Sequence, residues 1–125
     1  MQIAHWCILI IIVMPYPLVL MARLPDLTLE KNLIPRITSN ALTGVRQRLY
    51  WAHQNALEMV APFSIAVLIA QELMLDQDTI DILALSFIVF RIAHALSYAM
   101  NKGVLRTLMF GGGMACIITL FVKIV

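Results

Sequence analysis

The most informative segment of the sequence is Arg46-Gln47-Arg48-Leu49-Tyr50-Trp51-Ala52-His53-Gln54-Asn55-Ala56-Leu57-Glu58-Met59-Val60-Ala61-Pro62, which continues into the apolar segment 63–70. In a helix, spacings of seven and three residues place Arg48, Asn55 and Glu58 on one face. A carboxylate beside so apolar a run is costly in hydrocarbon. Glu58 is therefore expected to face protein or water and to have a cationic partner elsewhere in the chain.

The whole chain is too apolar for a water-soluble domain. Of its 125 residues, 62% are hydrophobic and 13% are charged, and the mean hydropathy is +0.90. Soluble domains are roughly 45–50% apolar and about 25% charged, so the excess indicates a bilayer and contact with its lipids. The net charge of +2 offers no clustered basic face for nucleic acid. No cysteine–histidine spacing resembles a zinc site, and no metal is predicted.

The hydropathy pattern predicts an all-α, multi-pass integral membrane protein whose single domain is a four-helix bundle. The spans cover about 3–22, 49–73, 79–100 and 104–124, and each is about long enough to cross a ~30 Å hydrocarbon core as a helix. A cleaved signal peptide is the rival interpretation of the first span, but no basic residue precedes Arg23. Pro15 and Pro17 predict a kink in the first span, and Pro62 favours a bend in the second.

The charges of the connections predict the orientation. Basic residues gather in the first connection, in its continuation into the second span and around the last turn: Arg23, Lys31, Arg36, Arg46, Arg48, Lys102 and Arg106. The connection between the second and third spans carries only acids: Glu72, Asp76, Asp78 and Asp81. The positive-inside rule therefore places the basic connections in the cytoplasm and both termini outside it. We expect a bacterial inner membrane as the location.

One acid and one base lie deep inside the predicted spans, Glu58 and Arg91. Each lies about nine or ten residues from the cytoplasmic end of its helix, so both reach a depth of about 13 Å. Arg91, His94 and Tyr98 share a helix face directed back toward that end, and Arg106 enters from the fourth span. These residues predict a polar pocket that opens to the cytoplasmic interface.

The chemistry of this pocket stays open at the level of the residues. An ion pair of Glu58 with Arg91 that only locks two helices or two subunits is one interpretation. The wider set has more polar capacity than one such lock needs, and an arginine-rich site suits carboxylates and thiolates. A channel or proton path through Glu58, Arg91 and His94 is a third interpretation, which lacks a second acid deep inside any span.

Other conspicuous residues favour structural roles. His53 is interpreted as a helix-face residue rather than a ligand. The run Gly111-Gly112-Gly113 lacks the Lys-Ser/Thr that follows a phosphate-binding loop. Small residues inside an apolar helix instead predict close helix packing.

Three patches of the sequence resemble the MAPEG superfamily, the membrane-associated proteins in eicosanoid and glutathione metabolism. The segment 52–58 is similar to the family's Ala-x-x-Asn-x-x-Glu on its second helix. The segment 91–98 is similar to Arg-x-x-(His/Tyr)-x-x-x-Tyr on the third helix, and Arg106 lies at the start of the fourth. The resemblance covers roughly residues 46–125, and the four-span layout extends it over the whole chain.

The resemblance implies a homotrimer of four-helix subunits that binds glutathione between neighbours near the cytosolic face. The glutathione-binding set that it implies is Arg48, Asn55, Glu58, Arg91, His94 and Tyr98, with Glu58 on the amine. Arg106 matches the arginine that stabilises the thiolate in several members, and it is the catalytic candidate. The implied activity is a glutathione transferase or peroxidase acting on lipophilic electrophiles that arrive through the bilayer.

One position departs from the family pattern. Members usually carry arginine four residues before the asparagine, where this chain has Trp51. Arg48, one turn earlier, is the candidate substitute. The alternative function is a non-catalytic membrane binding or scaffold protein that retains the fold, and Trp51 is its best support.

Overall fold

The computed structural model describes residues 2–125, and its regular structure is helical throughout this range. The helices are α1 (Ile3–Val13), α2 (Pro15–Arg23), α3 (Leu29–Leu33), α4 (Pro35–Asn40), α5 (Gly44–Glu72), α6 (Gln77–Ala99) and α7 (Gly103–Ile124), with a 3-10 turn at Leu24–Asp26. The predicted all-α class is confirmed.

The first apolar segment is a helix broken at its prolines, as predicted. α1 ends at Val13 and α2 begins at Pro15, which lacks the N–H that a continuous helix needs at this position. The Nδ1 atom of His53 lies 2.8 Å from the carbonyl oxygen of Pro15. Because a carbonyl only accepts, Nδ1 is the protonated nitrogen and donates this bond. His53 on α5 therefore braces the break, in agreement with its interpretation as a helix-face residue.

The first connection contains two short helices rather than only irregular polar chain. Asp26 pairs with Arg46 and with Lys31, whose Nζ lies 2.6 Å from the carboxylate. Arg46 Nε also donates to the Ala22 carbonyl at 2.7 Å, at the end of α2. The hydrogen bond from Lys31, followed by that from Arg46, holds the pKa of Asp26 below its usual range. Asp26 thus fastens the connection to the start of α5.

Three segments are long and apolar enough to cross a membrane: Ile3–Asp26, α6 and α7. α5 is outside this set because polar residues interrupt its apolar sequence, but its 29 residues extend over roughly 43 Å. It starts at Gly44, five residues before the predicted span, and continues through Pro62 as one helix. α5 contacts all three apolar segments, so it runs alongside them.

The core lies between α1, α5, α6 and α7. Phe63 of α5 stacks on Phe87 of α6 with ring centroids 4.1 Å apart, and both are fully buried. A methyl group added to Gly112 of α7 would collide with the Phe90 ring, whereas Gly111 faces open space. The predicted role of small residues in close helix packing therefore applies to Gly112.

The two ends of the helices differ in charge, although Lys123 lies at the acidic end and Asp26 and Glu30 lie among the bases at the other. We call the end with Glu72, Asp76, Asp78 and Asp81 the acidic end, and the end with Arg23, Lys31, Arg36, Arg46, Arg48, Lys102 and Arg106 the basic end. At the acidic end, Asp81 Oδ1 accepts hydrogen bonds from the Ala4 N–H at 2.9 Å and from Gln77 Nε2 at 2.8 Å. A carboxylate at the first turn of α1 also interacts favourably with the positive end of the helix dipole. Asp81 therefore ties α6 to α1.

Candidate functional site

The site is built around Arg91, which lies on the face of α6 that packs against α5 and α7. Its side chain is 1% exposed. Nη2 donates to Asn55 Oδ1 at 2.6 Å and approaches the Asn55 carbonyl at 3.4 Å. On α7, Gly113 lies beside the Arg91 stem, where a Cβ would be in ordinary van der Waals contact, 3.7 Å from Arg91 Cδ. The structure therefore joins Arg91 to Asn55, whereas the sequence placed Glu58 at the depth of Arg91.

Two nitrogen atoms of the Arg91 guanidinium have no acceptor. Nε and Nη1 are buried and make no hydrogen bond within residues 2–125. An unpaired polar atom in an apolar interior costs roughly 1–3 kcal/mol, and more when the group is charged. A guanidinium with two free donors is thus a position where an anion would supply what the chain leaves out.

His94, Tyr98 and Arg106 form the next layer toward the basic end. The His94 and Tyr98 rings meet edge to face, with centroids 5.2 Å apart. The Arg106 guanidinium lies over the Tyr98 ring, 4.6 Å from its centroid, in a cation–π contact. Phe110 of α7 lies beside His94, with ring centroids 6.1 Å apart. The structure therefore brings the base on α7 to the polar face of α6, as the spacing predicts.

Arg48 occupies a different place from the one expected for a ligand-binding residue. Its Nε donates to the Tyr98 carbonyl at 3.0 Å and its Nη2 to the Ala99 carbonyl at 3.3 Å. The last carbonyls of a helix have no partner in the helix itself. A cation beside them also interacts favourably with the negative end of the helix dipole. Arg48 thus caps α6 at the residue that carries the Arg106 contact.

Glu58 stands apart from the other site residues. Its side chain is exposed, and it forms no ion pair within residues 2–125. The expected cationic partner is therefore not supplied by the same chain, because Arg91 turns to Asn55 instead. Pro62 has no N–H, so the Glu58 carbonyl also lacks the donor that it would have in an uninterrupted helix.

Three polar arrangements were not foreseen from the sequence: the Asp81 cap on α1, the Asp26 pairs in the first connection, and the Arg48 cap on α6. Asp81 and Ala4 are 77 positions apart, and no local pattern relates them. The opposite charges of Asp26 and Arg46 were visible, but no helical spacing joins residues 20 positions apart. No sequence pattern relates Arg48, at the start of one span, to the end of α6 either.

The fold and the site together define an integral membrane protein of apolar helices with a polar group of side chains between three of them. The sequence model of the MAPEG family matches residues 3–125, which is essentially the whole chain. The protein belongs to this family, whose members are in general associated with glutathione and oligomeric. No curated protein and no solved structure gives a significant match to the chain.

Proposed function

We propose that the protein binds glutathione at the Arg91 group, near the basic end of the bundle. The observation that carries this proposal is the buried Arg91 guanidinium with two nitrogen atoms free of acceptors. Glutathione bears two carboxylates, an amine and a thiol. A carboxylate matches the guanidinium fork in shape and charge, so Arg91 and Asn55 are the residues proposed to hold one end of the peptide.

The other site residues have proposed roles that follow from their positions. His94 and Tyr98 continue the polar face from Arg91 toward Arg106. Arg106 is the catalytic candidate, since a guanidinium beside a thiol favours the thiolate, which is the nucleophilic form. Arg48 contributes by fixing the end of α6 that carries Tyr98.

Glu58 supports a homotrimer in which neighbouring copies complete the site. An exposed carboxylate halfway along α5, beside a carbonyl that Pro62 deprives of its usual donor, is unfavourable against lipid. A neighbouring copy, or a ligand amine held between two copies, would satisfy both groups. We therefore propose that α5 also crosses the membrane, as the second of the four predicted spans, and that its Glu58 face is covered by another subunit.

The surroundings of the site fit a lipophilic second substrate. The basic end is proposed to face the cytoplasm of a bacterial inner membrane, with both termini outside. Glutathione would then bind from the cytosol, and a lipophilic electrophile would reach the thiolate through the bilayer for conjugation or reduction.

Glutathione binding is tested by calorimetry on the protein in lipid nanodiscs. We expect saturable binding at millimolar glutathione and its loss in Arg91→Met. Arg36→Met removes an exposed arginine in the first connection and is the matched control, which should bind as the wild type does. Equal binding by Arg91→Met and the wild type would contradict the proposal.

The role of Arg106 is tested by the ionisation of the bound thiol. Ultraviolet absorbance of the thiolate is recorded against pH at saturating glutathione. In Arg106→Leu the midpoint should rise by about one pH unit or more, because the nearby positive charge is gone. S-methylglutathione has no thiol to ionise, so it should bind the wild type and give no thiolate absorbance.

A second function, glutathione binding without catalysis, has one observation in its favour. Trp51 stands where family members carry arginine and is 44% exposed, while Arg48 already donates to the α6 carbonyls. The site is therefore short of one free cation. Conjugation of an aryl halide distinguishes the two functions: the enzyme accelerates it and loses that rate in Arg106→Leu, whereas the binding protein does neither.

A further inference from the structure

An apolar groove runs along the other face of α6, away from Arg91. A hollow of 490 Å³ is lined by Met14, Pro17, Leu18, Met21, Leu49, Ile92, Ala95, Leu96 and Ala99. A second hollow of 380 Å³ shares Met14 and Ile92 with it and extends the groove to Leu9 and Ile10. The groove follows the broken first segment, where Pro15 separates α1 from α2.

The groove has the length of one membrane leaflet. From Leu9 to Met21 it covers 13 residues, which rise roughly 18 Å along a helix, and half of a hydrocarbon core is about 15 Å. Met21, Ile92 and Leu96 are about half exposed, at 52%, 48% and 55%. The groove is therefore open on the outer surface of the chain, and its size is within the roughly 300–1,000 Å³ of ligand pockets.

A guanidinium stands at the basic end of this groove. Arg48 directly precedes Leu49, which lines the groove, and its Nη2 donates to the carbonyl of Ala99, which also lines it. Arginine has five N–H donors, and the bonds to Tyr98 and Ala99 use two of its nitrogen atoms. Donors remain for an anion at the level of the lipid headgroups.

We propose that this groove is a binding site for one anionic phospholipid, with an acyl chain along the first segment and α6 and the headgroup phosphate near Arg48. The lining supplies apolar contact over one leaflet, and the arginine supplies the opposite charge at the interface. Ile92, Leu96 and Ala99 are on a different face of α6 from Arg91, His94 and Tyr98. The apolar lining of the lipid site is thus separate from the glutathione site, and the two sites have only Arg48 in common, which also holds the end of α6 that carries Tyr98. Lipid retention is measured without glutathione and does not depend on its binding.

Native mass spectrometry tests the proposal on the whole protein reconstituted with equal amounts of phosphatidylglycerol and phosphatidylcholine of identical acyl chains. We expect one lipid retained per chain and phosphatidylglycerol favoured about fivefold, as one arginine near the surface would give. Arg48→Gln should keep a lipid but lose this preference, and Arg48→Lys should preserve it. Equal retention of the two lipids by the wild type would overturn the headgroup assignment and with it the proposal.

Blocking the groove tests the acyl-chain contact. Ile92→Trp fills the groove, and retained lipid should fall at least tenfold. Val89→Trp makes the same change one turn away on α6, at a side chain that is 65% exposed and outside the groove lining, and it should retain lipid normally. Unchanged retention in Ile92→Trp rejects the site. No retained lipid, together with an oligomer mass that changes in Ile92→Trp alone, would mean that a second copy covers the groove.

Discussion

Asp81 and Arg91 lie on the same helix, ten residues apart, and the chain treats them in opposite ways. Asp81 is partly buried and accepts two hydrogen bonds, from Ala4 and Gln77. Arg91 is buried more completely, yet two of its nitrogen atoms have no acceptor. A charged group that serves the fold receives its partners from the fold. A buried charge that the fold leaves unsatisfied, as it leaves Arg91, is the better indication of a ligand.

The largest expected effect concerns Arg91. Arg91→Met replaces an incompletely paired buried charge with an apolar, unbranched side chain that matches the arginine stem. We expect glutathione affinity to fall about 100-fold, within the roughly 2–5 kcal/mol lost when a buried charge pair loses one partner. Thermal unfolding in detergent, without ligand, should show equal or higher stability, because the buried charge no longer has to be desolvated.

A merely structural Arg91 gives the opposite pair of results. Arg91→Met would then lower the unfolding midpoint of the ligand-free protein and leave glutathione binding in the surviving folded fraction unchanged. Measuring both quantities on one preparation separates the two cases.

The next effect tests the packing that brings α7 to the site. In Gly112→Ala the added methyl group collides with Phe90, and we expect a loss of about 1–3 kcal/mol in unfolding free energy. Gly111→Ala is the control on the same helix, since open space surrounds that position. It should be neutral or gain up to about 1 kcal/mol from helix propensity. Equal losses in both variants would show that α7 does not pack on Phe90 as described.

Removing the Asp81 carboxylate should cause a smaller loss of stability and no loss of glutathione binding. Asp81→Ala removes the acceptor for the Ala4 N–H, and capping losses of this kind are about 1 kcal/mol. Calorimetric glutathione binding by the folded protein should not change, because Asp81 is at the acidic end. A fall in affinity as large as that of Arg91→Met would break the contrast between the two ends.

The smallest effect is a pH dependence at Asp26. Lys31 and Arg46 hold the pKa of Asp26 below its usual range, so the stability from these contacts is complete above the unfolded-state pKa. It is lost as the pH falls through the lowered, folded-state pKa. Compared with Asp26→Asn, the unfolding midpoint of the wild type should be slightly higher at pH 6, and this difference should vanish in strong acid. A difference independent of pH would contradict the assignment.

The sequence predicted the parts of this molecule that follow from helical spacing. Arg91, His94 and Tyr98 share a face because they are three and four residues apart, and Arg106 follows after a turn short enough to bring α7 beside that face. The break at Pro15 follows from the missing N–H of proline.

The hydrogen-bond partners of the polar side chains could not be predicted from the sequence, because they depend on distances between helices. Nothing in the spacing of Arg48 shows that carbonyls of α6 lie within its reach. Equally, Glu58 and Arg91 are at similar depths, but only the packing of α5 against α6 reveals that Asn55 takes the position next to the guanidinium. Contacts of this kind are determined by how the helices pack against each other.

The proposed glutathione site depends on the two free nitrogen atoms of Arg91, and a structure of the protein in nanodiscs with saturating glutathione tests them directly. We predict a carboxylate oxygen of glutathione within hydrogen-bond distance of Nε or Nη1. Glutathione bound elsewhere would contradict this prediction. The Glu58 carboxylate of a neighbouring copy bound to both nitrogen atoms would also contradict it, and would make Arg91 part of a structural ion pair.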